Sequence, residues 1–219
     1  MFGQREEQFL GGAVAAVDPL SIDLPDQLVG ERVIVRPWDE ADADGLWDAI
    51  DSSREHLEAW MPWVDRYRNP DNAVEYCRRS HARWLLREDL AAAIVERKTG
   101  RILGGTGLHR INWAYRLFEI GYWVRQDAEG RGYVTETVQL LTRLAFDELD
   151  ANRVELAIDT RNVRSLRVAE RLGFVLEGTL RRRLLAPGGS PTDMHVLALL
   201  PEEYRLLPWA TKQAAGSRQ

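Results

Sequence analysis

The sequence predicts one α/β domain of the α+β kind: a mixed, largely antiparallel twisted sheet flanked by helices. Three observations carry that reading. Strand-like and helix-like patterns mix along the chain without the strict alternation of a parallel α/β fold. A hairpin signal stands near the middle, with apolar runs at 92–96 and 102–108 joined by the turn residues Lys98, Thr99 and Gly100. No internal repeat or low-complexity linker divides the 219 residues, whose 45% hydrophobic content suffices for one sizeable core.

The elements follow in order. A strand is expected at 32–36, then a helix over 39–51 with Asp39 as N-cap before Glu40 and Asp42. A short helix at 55–60 precedes Asn69-Pro70-Asp71, which opens a long helix to about residue 87, Pro70 suiting its first turn. The second arm of the hairpin contains Gly104, Gly105 and Gly107, a sign of a kink or of close backbone approach. Residues 118–124 are β-branched and aromatic and read as a strand. Val134, Val138, Leu141, Ala145 and Leu149 then form one helical stripe. A strand at 154–158, a helix around Ser165 and late strands near 175–185 and 195–200 complete the list. The expected organisation is an N-terminal arm over 1–28, a catalytic domain over 29–208 and a mobile tail over 209–219.

Composition excludes several classes of function. A net charge of −5 offers no basic excess for nucleic-acid phosphates. No apolar run approaches the roughly 18 residues of a membrane span. Residues 9–17 are apolar, but Glu6 and Glu7 precede them where a leader needs positive charge, so a cytoplasmic protein is expected. The lone Cys77 forms no internal disulfide and reads as a small packing residue. The four histidines, at 56, 81, 109 and 195, lack ligand spacing with one another or with the cysteine, so no metal is expected.

The most informative stretch is Glu129-Gly130-Arg131-Gly132-Tyr133-Val134-Thr135, a glycine turn between a strand and a helix. The N–H groups of a helix's first turn lack intrahelical partners and sit at the positive end of the dipole, so a glycine turn there lets an anion approach. No Gly-Lys-Ser/Thr follows, which argues against a Walker loop, and Thr135 stands where a dinucleotide fingerprint has its third glycine. An ordinary turn needing positive φ remains the alternative at this point.

Asn162-Val163-Arg164-Ser165-Leu166-Arg167-Val168-Ala169-Glu170-Arg171-Leu172-Gly173-Phe174 narrows the choice. The pattern Asn-x-x-Ser-x-Arg-x-x-Glu-x-Leu-Gly-Phe, behind a Gly-x-Gly turn opening a helix, resembles the GNAT superfamily of acyl-CoA-dependent N-acyltransferases. Glu119-Ile120-Gly121-Tyr122-Trp123 and Trp60-Met61-Pro62-Trp63 resemble its Rim branch, which acetylates ribosomal-protein N-termini. The likeness spans roughly residues 31–200. It implies the GNAT fold, and acetyl-CoA or another short acyl-CoA such as succinyl-CoA as co-substrate. The acceptor is then a primary amine, a protein N-terminus or a small molecule, which attacks directly in a ternary complex. Family members are monomers or homodimers. A CoA-binding regulatory or interaction module with little transfer activity is the alternative.

The resemblance also implies roles for residues. The Gly130, Arg131, Gly132, Tyr133, Val134 and Thr135 turn would cradle the CoA pyrophosphate, with Arg131 and Arg167 as its cations. Trp123 and Val124 would pair with pantetheine through their backbone, and Asn162 would hydrogen-bond the pantetheine amide. Two positions depart from the family: Glu129 replaces a usual Gln or Arg, and Val134 a usual Ala or Gly. An acidic residue beside a pyrophosphate is unfavourable unless its side chain points to solvent.

The chemistry needs a base and a thiolate partner. Glu119 is the expected general base, alternation placing it on one face with Gly121 and Trp123. Ser165 is the expected proton donor to the leaving CoA thiolate, with helix capping as its alternative role and Tyr122 or Tyr133 as alternative donors. Trp60, Trp63 and Tyr122 are expected to line the acceptor groove. The Arg181-Arg182-Arg183 run reads as solvated strand charge.

Overall fold

Local chemistry sets most of the boundaries. The computed structural model describes residues 18–186 and 189–210; the start of the expected arm and the tail from 211 lie outside the described residues. The helices are α1 (Ala43–Asp51), α2 (Arg54–Glu58), α3 (Pro70–Leu85), α4 (Tyr133–Arg143), α5 (Val163–Arg171) and α6 (Pro201–Tyr204). Asp39 opens the 3-10 turn before α1 with a capping box shared with Asp42. Asn69 does the same for α3, Pro70 filling the first turn, where no N–H is needed. The apolar stripe expected after the glycine turn is real: Val138, Leu141, Ala145 and Leu149 are buried, the last two beyond α4, where the chain continues through a π-type turn. Burying a side chain such as Leu141 contributes about 1.5–3 kcal/mol.

The strands are β1 (Leu28–Val29), β2 (Val33–Pro37), β3 (Leu90–Glu96), β4 (Ile102–Asn112), β5 (Leu117–Val124), β6 (Arg153–Asp159), β7 (Val175–Leu185) and β8 (Pro191–Leu199). They form one sheet in the order β1-β2-β3-β4-β5-β6-β8-β7. Every neighbouring pair is antiparallel except β5 and β6, which run parallel. That pair joins only at Leu117 with Arg153, Phe118 with Val154 and Glu119 with Glu155. Beyond Glu119 both strands continue without pairing, so the sheet opens into a cleft.

Apolar residues cover both faces. Val33, Val35, Ala92, Ile94, Leu108 and Ile120 belong to the larger core with Val138 and Leu141 of α4. On the other face Ala91, Ala93 and Val95 pack with Leu46 of α1 and Cys77 of α3. The segment expected to end the arm is packed on the domain: Ile22, Leu24 and Leu28 lie against the larger core, and the Ile22 carbonyl accepts from Arg87 Nη2 at 3.0 Å. At the other end packing continues past 208, since Ala210 is buried and Trp209 stacks edge-on against Tyr204. β7 is the sheet's edge and is exposed along its whole length, including Arg181, Arg182 and Arg183.

Candidate active site

The β5–α4 connection is anchored before it reaches the glycines. Arg125 is buried to 3% exposure and donates to Asp127 at 2.6 Å, to Asp48 of α1 at 2.7 Å and to Ser52 at 3.0 Å. The Gln126 N–H donates to the Ser53 hydroxyl. A buried guanidinium with two carboxylates and a hydroxyl is a strong local tether, because losing one partner leaves a buried charge short of bonds.

Gly130 and Gly132 both adopt positive φ, at 70° and 81°. Gly132 is the N-cap of α4 and no side chain caps the helix, so its first-turn N–H groups face outward for an anion. The space where a Cβ of Gly130 would stand is open. Above Gly132, by contrast, a Cβ would come within 2.7 Å of Arg32 Nη1. Arg32 also donates to the Arg131 carbonyl at 3.4 Å, and its own N–H donates to Glu136 Oε1 at 2.9 Å. Arg131 is exposed on the turn. Arg167 is exposed on α5, and Arg171 of the same helix lies 3.4 Å from the Thr135 hydroxyl. An open Gly130, an uncapped helix start and nearby arginines fit a pyrophosphate.

Glu129 does not point to solvent. Its Oε2 accepts from Arg164 Nη1 of α5 at 2.6 Å and its Oε1 lies 2.9 Å from His56 Nε2 of α2. Two basic partners offset the carboxylate that family comparison made anomalous. Val134 is half-buried against the core. Tyr133 donates its hydroxyl to Glu96 of β3 and so turns away from the cleft.

A cavity of about 790 Å³ occupies the cleft and the space beneath α3 and the segment 59–67. Glu119, Gly121, Tyr122 and Trp123 of β5 line one side, and Asp159, Asn162 and Ser165 the other. Val124 continues β5 to its last residue, beside Gly104, where a Cβ would lie 2.1 Å from the Trp123 carbonyl oxygen. Trp60 and Trp63 are also in the lining. Trp63 stacks edge-on against Trp123 with centroids 5.5 Å apart, and the Arg161 guanidinium sits 6.0 Å from the Trp60 ring.

Within this cavity the expected catalytic residues acquire partners. Glu119 Oε2 accepts from Arg110 Nη1. Arg110 adopts a positive φ of 46° where the β4–β5 register shifts, a bulge that no sequence period marks. Asn162 is the cap of α5, its Oδ1 accepting from the Ser165 N–H at 3.1 Å. The capping role open to Ser165 therefore falls to Asn162. The Tyr122 phenol is buried beside Ser165 and burial pushes it up to about 12, Ser165 partly opposing the shift.

His109 was passed over by reasoning from ligand spacing. It lines the cavity opposite Glu119, and Asp89 Oδ1 accepts from its Nδ1 at 2.6 Å. The unused signal was the glycine content of β4 and β5, considered below. Among the described residues no group of three or more His, Cys, Asp and Glu converges as a metal would require, and no helix is long and apolar enough to cross a membrane.

A sheet parted between two parallel strands, with a glycine turn at the head of a helix on one lip and an Asn-capped helix on the other, defines an acyl-CoA-dependent transferase. Residues 32–175 match the family model of the GNAT acetyltransferase domain. The Bacillus subtilis protein named probable N-acetyltransferase YjcK is 30% identical over 175 residues, which are 79% of this chain and 96% of that protein. The ribosomal-protein-serine acetyltransferase of Escherichia coli is 29% identical over 85 residues, 39% of this chain and 48% of that one. Among solved structures, Mycobacterium smegmatis RimJ in complex with a CoA disulfide is 26% identical with a TM-score of 0.73, covering 81% of this chain and 86% of that one. The chain belongs to the GNAT acetyltransferase family, with Rim-type ribosomal-protein acetyltransferases among its relatives. It is an acyl-CoA-dependent N-acyltransferase.

Proposed function

We propose that the protein moves an acetyl group from acetyl-CoA to a primary amine, by direct attack while both substrates are bound. One observation carries this reading: a single cavity runs from the parted strands to an aromatic wall, with an acidic group on one side and hydroxyls on the other. CoA would enter along the cleft, its pyrophosphate on the α4 N-terminus and its pantetheine against Trp123, Val124 and Asn162. The Asn162 amide nitrogen, not used in capping, has donors for a pantetheine carbonyl.

The acceptor amine arrives as an ammonium and must lose a proton before it has a lone pair. Its proton leaves toward the face carrying Glu119, whose carboxylate also draws the cation in. As the C–S bond breaks, the sulfur gains a proton from Ser165 or Tyr122, which face each other at the cleft. Trp60, Trp63 and Trp123 would enclose the acceptor's side chain. The acceptor we favour is a protein N-terminus, in keeping with the E. coli relative's name; a small-molecule amine is the second reading. Arg110 and Arg161 at the cavity wall would accommodate succinyl, the alternative acyl group. A cytoplasmic location fits a CoA-dependent enzyme, and the exposed apolar side chains of β7 support homodimerisation.

A thiol-release assay decides the matter. Acetyl-CoA and succinyl-CoA are each offered with peptides bearing a free α-amine, polyamines and aminoglycosides, and the product is located by mass spectrometry. Thiol release that depends on the amine, with acylated nitrogen in the product, supports the proposal. CoA binding with background release for every amine would leave the non-enzymatic CoA module in its place.

A further inference from the structure

We propose that His109, oriented by Asp89, takes the proton from the acceptor amine. The inference rests on the acyl-transfer reading above and assigns one of its steps.

Two glycines make the site. In the β4–β5 pairing Gly107 stands opposite Gly121 and His109 opposite Glu119, so all four share a face. A Cβ on Gly107 would lie 2.8 Å from His109 Cε1, and a Cβ on Gly121 2.9 Å from Cδ2 and 3.2 Å from Nε2. The imidazole therefore lies across a floor that only paired glycines leave open. A side chain at either position would lift it off the sheet.

The ring's orientation is fixed from behind. Asp89 Oδ1 accepts from Nδ1 at 2.6 Å, while Asp89 Oδ2 accepts from Arg83 Nη1 of α3 at 2.9 Å. A carboxylate on Nδ1 keeps the proton on that nitrogen and leaves Nε2 with a lone pair. Nε2 lies over Gly121, on the wall of the cavity, where the acceptor nitrogen must come to meet a thioester held along β5. Glu119 already accepts from Arg110. The two groups thus divide the work: Glu119 attracts the ammonium, and His109 deprotonates it.

The protons balance. The ammonium gives one proton to Nε2, forming an imidazolium paired with Asp89, which later releases it to solvent. The freed lone pair forms the N–C bond and the C–S bond breaks. The second proton leaves the nitrogen as the amide forms and passes to whichever of the Ser165 and Tyr122 hydroxyls has given its own proton to sulfur, so that this hydroxyl ends as it began and CoA leaves as the free thiol. The charged and titratable groups around the imidazole are Asp89 and Arg83, Tyr76 of α3 near Asp89, and Glu119 with Arg110 across the strand pair. Burial keeps Tyr76 neutral.

The test uses the full chain, acetyl-CoA and the amine that gives the fastest thiol release. His109→Gln should lower kcat/KM for the amine by about 10²-fold or more, with the acetyl-CoA KM unchanged. It should also flatten the acid limb of the pH profile. His109→Gly should recover turnover on addition of imidazole, which a structural role would not permit; if that variant fails to fold, His109→Gln decides. Asp89→Asn should lower turnover by a smaller factor, partly restored in Asp89→Glu. If His109→Gln keeps wild-type kcat/KM and acid limb while Glu119→Gln loses both, the proton belongs to Glu119; the inference then falls and acyl transfer stands. If the wild-type protein acylates no amine, acyl transfer falls and takes the inference with it.

Discussion

Glu129, five residues past the end of β5, accepts a hydrogen bond from Arg164, five residues past the end of β6. One ion pair thus joins the turn after β5 to the first turn of α5 across the parted strands, and His56 makes a second contact to the same carboxylate.

That carboxylate holds cations that a pyrophosphate would otherwise attract. Glu129→Gln should therefore tighten CoA binding by about two- to fivefold at low salt, equivalent to the ~0.3–1 kcal/mol of a charge at a helix terminus. Calorimetric titration at two ionic strengths checks this, since screening should shrink the gain at high salt. Weaker binding by the variant would show that Glu129 organises the loop more than it repels phosphate.

Gly132→Val should abolish detectable CoA binding. The position has a φ of 81° and would place Cβ against Arg32, so the substitution combines backbone strain of roughly 1–2 kcal/mol with a blocked approach. Affinity and Tm measured together separate the two effects. Unchanged affinity would reject the turn as the phosphate site.

Ser165 and Tyr122 are separable by pH. Burial lifts the Tyr122 phenol to about 12, so it remains a protonated donor throughout any practical assay range. Tyr122→Phe should lower kcat about tenfold or more without creating or removing an alkaline limb below pH 11. A kcat loss confined to Ser165→Ala would instead assign the thiolate to the serine.

Acid should loosen the β6 lip. The Arg161 guanidinium, aided by the Arg161 N–H and the Thr192 hydroxyl, holds Asp159 below the ordinary carboxylate range. A depressed folded pKa contributes stability that is complete above the unfolded value near 3.9 and fades as pH falls through the folded value. Asp159→Asn should therefore show a smaller drop in Tm between pH 5 and pH 3 than the wild type. Parallel melting curves for the two proteins would contradict this.

Local chemistry was legible and non-local partnership was not. Asp39, Asn69 and Pro70 announce helix starts because capping is settled within four residues. The run 175–185 emerges as β7 at the expected bounds, and the glycine turn sits at the head of α4. Two-residue β1 has no period to read. The contact of Arg171 with Thr135, the burial of Arg125 against Asp48 and the partners of Glu129 depend on elements dozens of residues apart. His109 illustrates the difference best. Gly107 stands in a run that signals a close approach, but only the strand register shows that it and Gly121 flank the same imidazole.

The short β5–β6 pairing bears on how the protein breathes. Three residue pairs hold the middle of an eight-stranded sheet, and past them the amides and carbonyls of Ile120 to Trp123 have no strand partner on the β6 side. A ligand with amide groups of its own would serve as the absent ninth strand. Backbone amides along this edge should then exchange with solvent deuterium quickly in the free enzyme and slowly once acyl-CoA is bound. The donor substrate would thereby act as a structural member of the fold, and amine chemistry would begin on a sheet made whole by one of its own reactants.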